Sequence, residues 1–331
     1  MTEIQSYAIK NIRVVSTLMI FLCHTVFLFG ETVGITAQFF NIAVTVFFFI
    51  SAYLYSLREN VSAGGVLQWY KKRFFRIAIP YYIYLAVLFI LYIVTKSVIK
   101  PTPWITSGFM ISGLTETYLS QTGHLWFVTA ILLCYAITPL LYRARQNKFF
   151  MFIVIAMIAY IPLAIFLKPI ISTYYSTLLE YILAFFLLDR IISSFNKKRM
   201  LIIGFVLFIL GCIIKLFGVR FFDDTVFYTK FISGGCSIII GFAIFVIIYT
   251  LSHIYYKFDK WSFRIIDFFD SISYEFFIVH MIFIKGNFSV LKLSNPFLNI
   301  CLAFVLSLIF GYLLHILSNQ IFKVIKWRKK H

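Results

Sequence analysis

The sequence predicts an all-α polytopic membrane protein, a bundle of roughly ten transmembrane helices with both termini in the cytoplasm. Three observations predict it. Of the 331 residues, 62% are hydrophobic and 20% aromatic, while only 13% are charged; an ordinary globular domain is about 45–50% apolar and about 25% charged. The mean hydropathy is +0.94. The apolar residues come in unbroken runs, which selects helices over a barrel, because barrel strands alternate between lipid-facing and lumen-facing residues. The net charge of +18 is unevenly placed. With the amino terminus inside, about three quarters of the lysines and arginines fall on the cytoplasmic side, in Lys10 and Arg13, in 58–76, 143–148, 190–199 and 257–264, and in the tail Lys323, Lys326, Arg328, Lys329 and Lys330. The positive-inside rule thus accounts for a charge that would otherwise invite nucleic acid, and no nucleic-acid partner is expected.

Taken in order, the runs are 12–29, 36–57, 77–95, 124–142, 149–167, 175–192, 200–217, 230–252, 268–288 and 297–321. Most are about 18–25 residues long, enough to cross a bilayer with modest tilt. The first lacks a small-residue cleavage site and carries Arg13 at its start, so a retained span is expected rather than a removed leader. The basic segment 58–76 holds Ser62-Ala63-Gly64-Gly65 and then interleaves aromatics with cations from Trp69 to Arg76, a pattern suited to a helix at the lipid headgroups. The outer connection from Lys96 to Gly123 keeps an apolar middle (Trp104-Ile105, Phe109-Met110-Ile111), so it either lies on the outer interface or folds back into the bundle. Cysteines 23, 134, 212, 236 and 301 all sit in apolar runs without a motif and read as packing residues. With no internal repeat or soluble extension, residues 1–331 read as one domain.

Ionisable side chains far from a helix end are the natural candidates for chemistry. Arg13 and His24 are eleven helical steps apart, three turns plus ~20°, so they project from one face, separated by ~16 Å along the axis. Arg13 serves equally well as a snorkelling positive-inside residue or as a grip for an anionic group. His24 is either bonded to a neighbouring helix or a functional imidazole. Glu275 and His280, in the ninth run, lie ~140° apart and so serve different neighbours. His124 and Trp126 open the fourth run at the outer interface, where Trp is commonplace. Arg73 and Arg76 share one inner helical face and suit phosphate as well as they suit solvent. Glu180 and Asp189 fall in the sixth run, the latter expected to pair with Arg190, and Asp267 and Asp270 stand where a helix amino terminus favours carboxylates. His253 and His315 read as structural. His24, His124 and His280 lack the local spacing of a metal site, and no zinc motif, phosphate loop or nucleophile elbow occurs; no metal is expected.

Several local patterns coincide in order along nearly the whole chain. They are Arg13 and His24 in the first run, Phe47-Phe48-Phe49-Ile50-Ser51-Ala52-Tyr53 in the second, and Arg73-Phe-Phe-Arg76-Ile77-Ala-Ile-Pro80 before the third. His124-Leu-Trp126-Phe follows in the fourth and Ser273-Tyr274-Glu275-Phe-Phe-Ile-Val-His280 in the ninth. Together they resemble the membrane acyltransferase-3 family, whose members O-acetylate envelope polysaccharides of bacteria, with relatives implicated in succinylation of exopolysaccharide. Ala52 departs from the glycine usual after the serine, which bears on helix packing. The esterase-like domain of some longer members is not in these residues, so the likeness is to the stand-alone type.

The resemblance implies an enzyme of the bacterial cytoplasmic membrane that moves an acyl group, acetyl first, from cytoplasmic acyl-CoA to a hydroxyl of a surface polysaccharide or its lipid-linked precursor. It would place the phosphates of acetyl-CoA on Arg13, Arg73 and Arg76. His24 would act as general base or as a transiently acylated group, with Glu275 and His280 supporting it and His124 and Trp126 toward the acceptor. The rival reading is a transporter or flippase of a glycan or lipid-linked intermediate, with the same groups as a proton path; the sequence lacks the paired broken helices and half-to-half symmetry common in transporters.

Overall fold

A computed structural model of the chain describes residues 1–58, 65–167, 172–222, 232–256 and 260–327, without side chains at 32, 161–167, 172–175, 219–222, 260–262 and 326–327. Lys257, the tail residues Arg328, Lys329 and Lys330, and Ser62-Ala63-Gly64 lie outside the described residues. Every regular element described is helical. The order begins α1 (Glu3–Thr25) with a 3-10 turn (Val26–Phe29), α2 (Glu31–Gly34), α3 (Ala37–Phe40), α4 (Ala43–Ser56), α5 (Gly65–Val94), α6 (Pro101–Gly108) and α7 (Ser112–Thr115). It continues, after a 3-10 turn at Gly123–Leu125, with α8 (Trp126–Gln146), α9 (Lys148–Leu167), α10 (Ser172–Leu183), a π-turn (Ala184–Leu188) and α11 (Asp189–Ser194). The last four are α12 (Lys197–Phe222), α13 (Ser233–Tyr255), α14 (Lys260–Ile284) and α15 (Pro296–Trp327).

Among the described residues, seven helical stretches are long and apolar enough to cross a membrane: Glu3–Phe29, Ala37–Ser56, Gly65–Val94, Gly123–Gln146, Lys197–Gly218, Ser233–Tyr255 and Pro296–Ile325. The other three of the ten expected runs differ for identifiable reasons. Residues 149–167 fall in α9, of which Lys148–Tyr160 is the apolar part with described side chains. Residues 175–192 are split by the π-turn, and α14 carries three carboxylates, Asp267, Asp270 and Glu275. The basic segment expected to lie at the headgroups is instead, from Gly65 onward, the start of the single helix α5, because nothing before Pro80 interrupts it.

The helices fall into two compact units: Met1–Ser16, Asn41–Val66 and Leu133–Asp270, and Thr17–Phe40, Leu67–Leu132 and Ser271–His331. In the first, α4 packs on α10 and α13, and α12 runs along α13. Lys10 and Arg13, three apart on α1, donate to Asp267 and Asp270, three apart on α14, as two parallel ion pairs. The π-turn leaves carbonyls outside the regular ladder, and in lipid such groups need a partner. Arg145 supplies it: Nη2 donates to Phe185 O at 2.8 Å, Nη1 to Ser56 O at the end of α4 at 2.7 Å, and the guanidinium lies 4.2 Å from the Phe185 ring centre. The expected Asp189–Arg190 pair does not form, since adjacent helical residues point ~100° apart.

In the second unit the outer connection folds in. Tyr81, Tyr82 and Tyr84 of α5 donate to the carbonyls of Ser107, Gly108 and Gln121, and Tyr92 donates to Gln121 Oε1. Four hydroxyls on one helix thus anchor a segment of short helices and turns whose Ser107, Met110, Ser112, Leu119, Gln121 and Thr122 are buried. Gly286, at a φ of 82°, closes the turn after α14 and gives the Gln121 side chain room that a Cβ would take. On α15, Phe310, Leu313 and Leu317 face outward, as lipid-exposed residues do.

Candidate functional site

The second unit contains both polar clusters of α14. On one side of that helix, Glu275 Oε1 accepts from His315 Nδ1 at 3.3 Å, and His315 Nε2 lies 2.8 Å from Asn319 Nδ2, which donates to it. The close approach of α15 that makes this possible rests on Gly311, one turn before His315, where a Cβ would come within 3.1 Å of the Phe276 backbone. Arg76 lies within electrostatic reach of Glu275. Tyr274, the neighbour of Glu275, donates at 3.1 Å to Ile77 O on α5.

On another side of α14 three imidazoles converge. The ring centre of His280 lies 5.3 Å from that of His24 on α1 and 4.9 Å from that of His124, in the 3-10 turn before α8. The three come from residues far apart in sequence, and only the fold brings them together. His280 is fully buried and His124 is 5% exposed; His24 is half-buried. The walls are aromatic, with Phe276 stacked at 6.3 Å from His280, Phe21 edge-on at 6.4 Å, and Phe277 5.0 Å from His124.

Backbone carbonyls of α14 orient two of the rings. His280 Nδ1 donates to Phe277 O at 2.6 Å, and His124 Nε2 donates to Ile278 O at 3.0 Å. Among the described residues the opposite nitrogens, His280 Nε2 and His124 Nδ1, are buried without a hydrogen-bond partner. A buried polar atom left without a hydrogen bond costs about 1–3 kcal/mol, and this cluster holds two of them within one aromatic enclosure. Lys285, just past the end of α14, is within electrostatic reach of His24. No group of three metal-ligating side chains suited to a metal ion is present among the described residues.

The remaining candidates take separate places. Glu275 does not join the histidines; its partner is His315, which sequence reasoning treated as structural. Arg13 is engaged by Asp270, so its guanidinium is already part of an ion pair. Arg73 is half-buried and Arg76 exposed, one turn apart on α5. Trp126 is half-buried as the first residue of α8. His315, read as structural from the sequence, is the partner of Glu275. Lys285, the neighbour of His24, was not singled out from the sequence, where it looked like one more cation at a helix end.

The sequence model of the acyltransferase domain family, acyltransferase-3, matches residues 6–316, nearly the whole chain. No curated protein and no solved structure matches.

Proposed function

The chain belongs to the membrane acyltransferase-3 family, and on that premise we propose that it transfers an acetyl group from cytoplasmic acetyl-CoA to a hydroxyl of a cell-surface polysaccharide or its lipid-linked precursor. The observation that carries the proposal is the meeting of His24, His124 and His280 in an aromatic enclosure. An imidazole there can serve as general base toward an alcohol or accept the acyl group itself, and the surrounding phenylalanines keep water from the thioester. His24 is the proposed reacting group, since it alone of the three is half-buried. His280 and His124 stand on the acceptor side, together with Trp126. Glu275 acts through its neighbours rather than at the reacting atoms.

Arg73 and Arg76, a turn apart on α5, are the proposed contacts for coenzyme A phosphates. Arg13 is kept as a candidate in its own right, with Asp270 sharing its guanidinium. The proposed topology has ten spans with cytoplasmic termini in the bacterial cytoplasmic membrane, which puts the basic amino-terminal part of α5 on the side of the donor.

The test uses purified protein in lipid with radiolabelled acetyl-CoA and membrane glycan. Label should appear on the glycan with the wild type and fall at least about 10²-fold in His24→Ala, with the protein still folded and inserted. Transport of glycan without any labelled product would favour the flippase reading, and unlabelled glycan from a succinyl-CoA-competent enzyme would move the donor from acetyl to succinyl.

A further inference from the structure

The two unpartnered nitrogens of the histidine cluster have a defined chemical sense. A carbonyl oxygen only accepts, so the bond to Phe277 O requires the proton of His280 on Nδ1, and the bond to Ile278 O requires that of His124 on Nε2. A second proton on either ring would bury a cation among phenylalanines, and no carboxylate pairs with either ring among the described residues. Both rings are therefore neutral, in opposite tautomers, and what each presents is a bare lone pair: Nε2 from His280 and Nδ1 from His124. Two consecutive carbonyls of one helix turn set both.

We infer that His280 Nε2 and His124 Nδ1 form a paired hydrogen-bond acceptor that takes hydroxyl groups of a polyol and rejects their esters and ethers. The inference rests on the proposed acyl transfer for its biological meaning and on the tautomers alone for its chemistry. Lone pairs attract O–H and repel the oxygens of a thioester, carboxylate or phosphate, so the pair suits the acceptor of the acyl group and not its donor. Ring centres 4.9 Å apart let neighbouring hydroxyls of one sugar ring engage both. The same chemistry separates substrate from product. Once a hydroxyl is esterified its proton is gone, and the ester oxygen would face a lone pair with neither hydrogen bond made. A site built to receive a hydroxyl discriminates strongly against an analogue that lacks it, because its own buried polar atoms go unpaired. Release of the acylated unit, and refusal to take it up again at the same position, follow from that mismatch without any moving part.

The test is nitrogen-15 NMR on full-length protein labelled at histidine in lipid nanodiscs, with 1,2-hexanediol as the hydroxyl probe and its dimethyl ether as the control. His280 and His124 resonances are assigned by their loss in His280→Gln and His124→Asn. The wild-type spectrum should show His280 Nε2 and His124 Nδ1 as pyridine-type nitrogens, both shifted by the diol and neither by the ether. His124→Phe should weaken the diol response about tenfold, and His124→Asn, whose side-chain oxygen can stand in for Nδ1, should restore most of it. A proton on His280 Nε2 or on His124 Nδ1, a second proton on either ring, or equal responses to diol and ether would each overturn the inference; the first two need no variant to fold. A normal diol response in a protein that transfers no label would remove the proposed function and leave this inference standing. Label transfer without a diol response would do the reverse.

Discussion

Helix α14 bears two polar clusters on sides about 140° apart, and they are finished to different degrees. At Glu275 the chain of contacts closes: carboxylate to His315, His315 to Asn319, with both ring nitrogens of His315 engaged. At His280 it stays open, for each fully oriented ring keeps a buried nitrogen without a partner. Both clusters must answer the same apolar surroundings, in which an unmade hydrogen bond is costly. Closing the network is what a purely structural cluster does. Under the proposed function, substrate is what closes the open one, and on that reading the contrast within one helix separates the group that holds the bundle from the group that meets substrate.

Four substitutions would break or sharpen that contrast. The largest effect is expected at the open cluster. His280→Leu should lower turnover by about 10²–10⁴-fold while leaving the thermal midpoint in detergent within a few degrees of the wild type, because the residue removed carries an unpaired atom. A parallel loss of stability would mean that His280 is structural like Glu275. The next is Gly311→Val, which pushes a side chain into the Phe276 backbone and should cost about 1–3 kcal/mol. Since Phe276 also stacks on His280, this substitution should damage both clusters together, lowering the midpoint and turnover at once. A variant with altered stability and normal turnover would show that the two sides of α14 are independent.

The helical class was legible because unbroken apolar runs leave the backbone no other way to satisfy itself in lipid. The divergence of Glu275 and His280 was legible too, since helical phase is a local property. What joins each to its partner was not. His24, His124 and His280 belong to three helices, and periodicity gives the face a residue occupies without naming the helix it faces. The same limit hid the parallel pairs Lys10–Asp267 and Arg13–Asp270: helix-dipole reasoning put the carboxylates at a helix start, whereas α14 begins at Lys260 and their partners stand on α1. The π-turn after Leu183 was invisible because no proline or glycine marks it; it became intelligible only with Arg145, forty residues earlier, donating to the carbonyl it exposes. Among the ten expected runs, α14 shows the converse, that polar residues placed along a helix lower its hydropathy.

The smallest effect is expected at the closed cluster, and it is the more discriminating for being small. Glu275→Gln keeps the size of the side chain and one oxygen to accept from His315, but removes the charge that Arg76 and His315 face. Interhelical hydrogen bonds in membranes average about 0.6 kcal/mol and reach about 1.7 kcal/mol, so stability should fall by an amount in that range and turnover by less than about tenfold. His315→Phe should move stability to a similar extent, and the double variant should cost clearly less than the sum of the two, since both weaken the same contact. Additive losses would show that Glu275 and His315 do not act as a pair. A collapse of turnover in Glu275→Gln with stability unchanged would be the more instructive failure, since it would move the carboxylate into the chemistry and leave the finished appearance of its hydrogen bonds without the meaning given to it here.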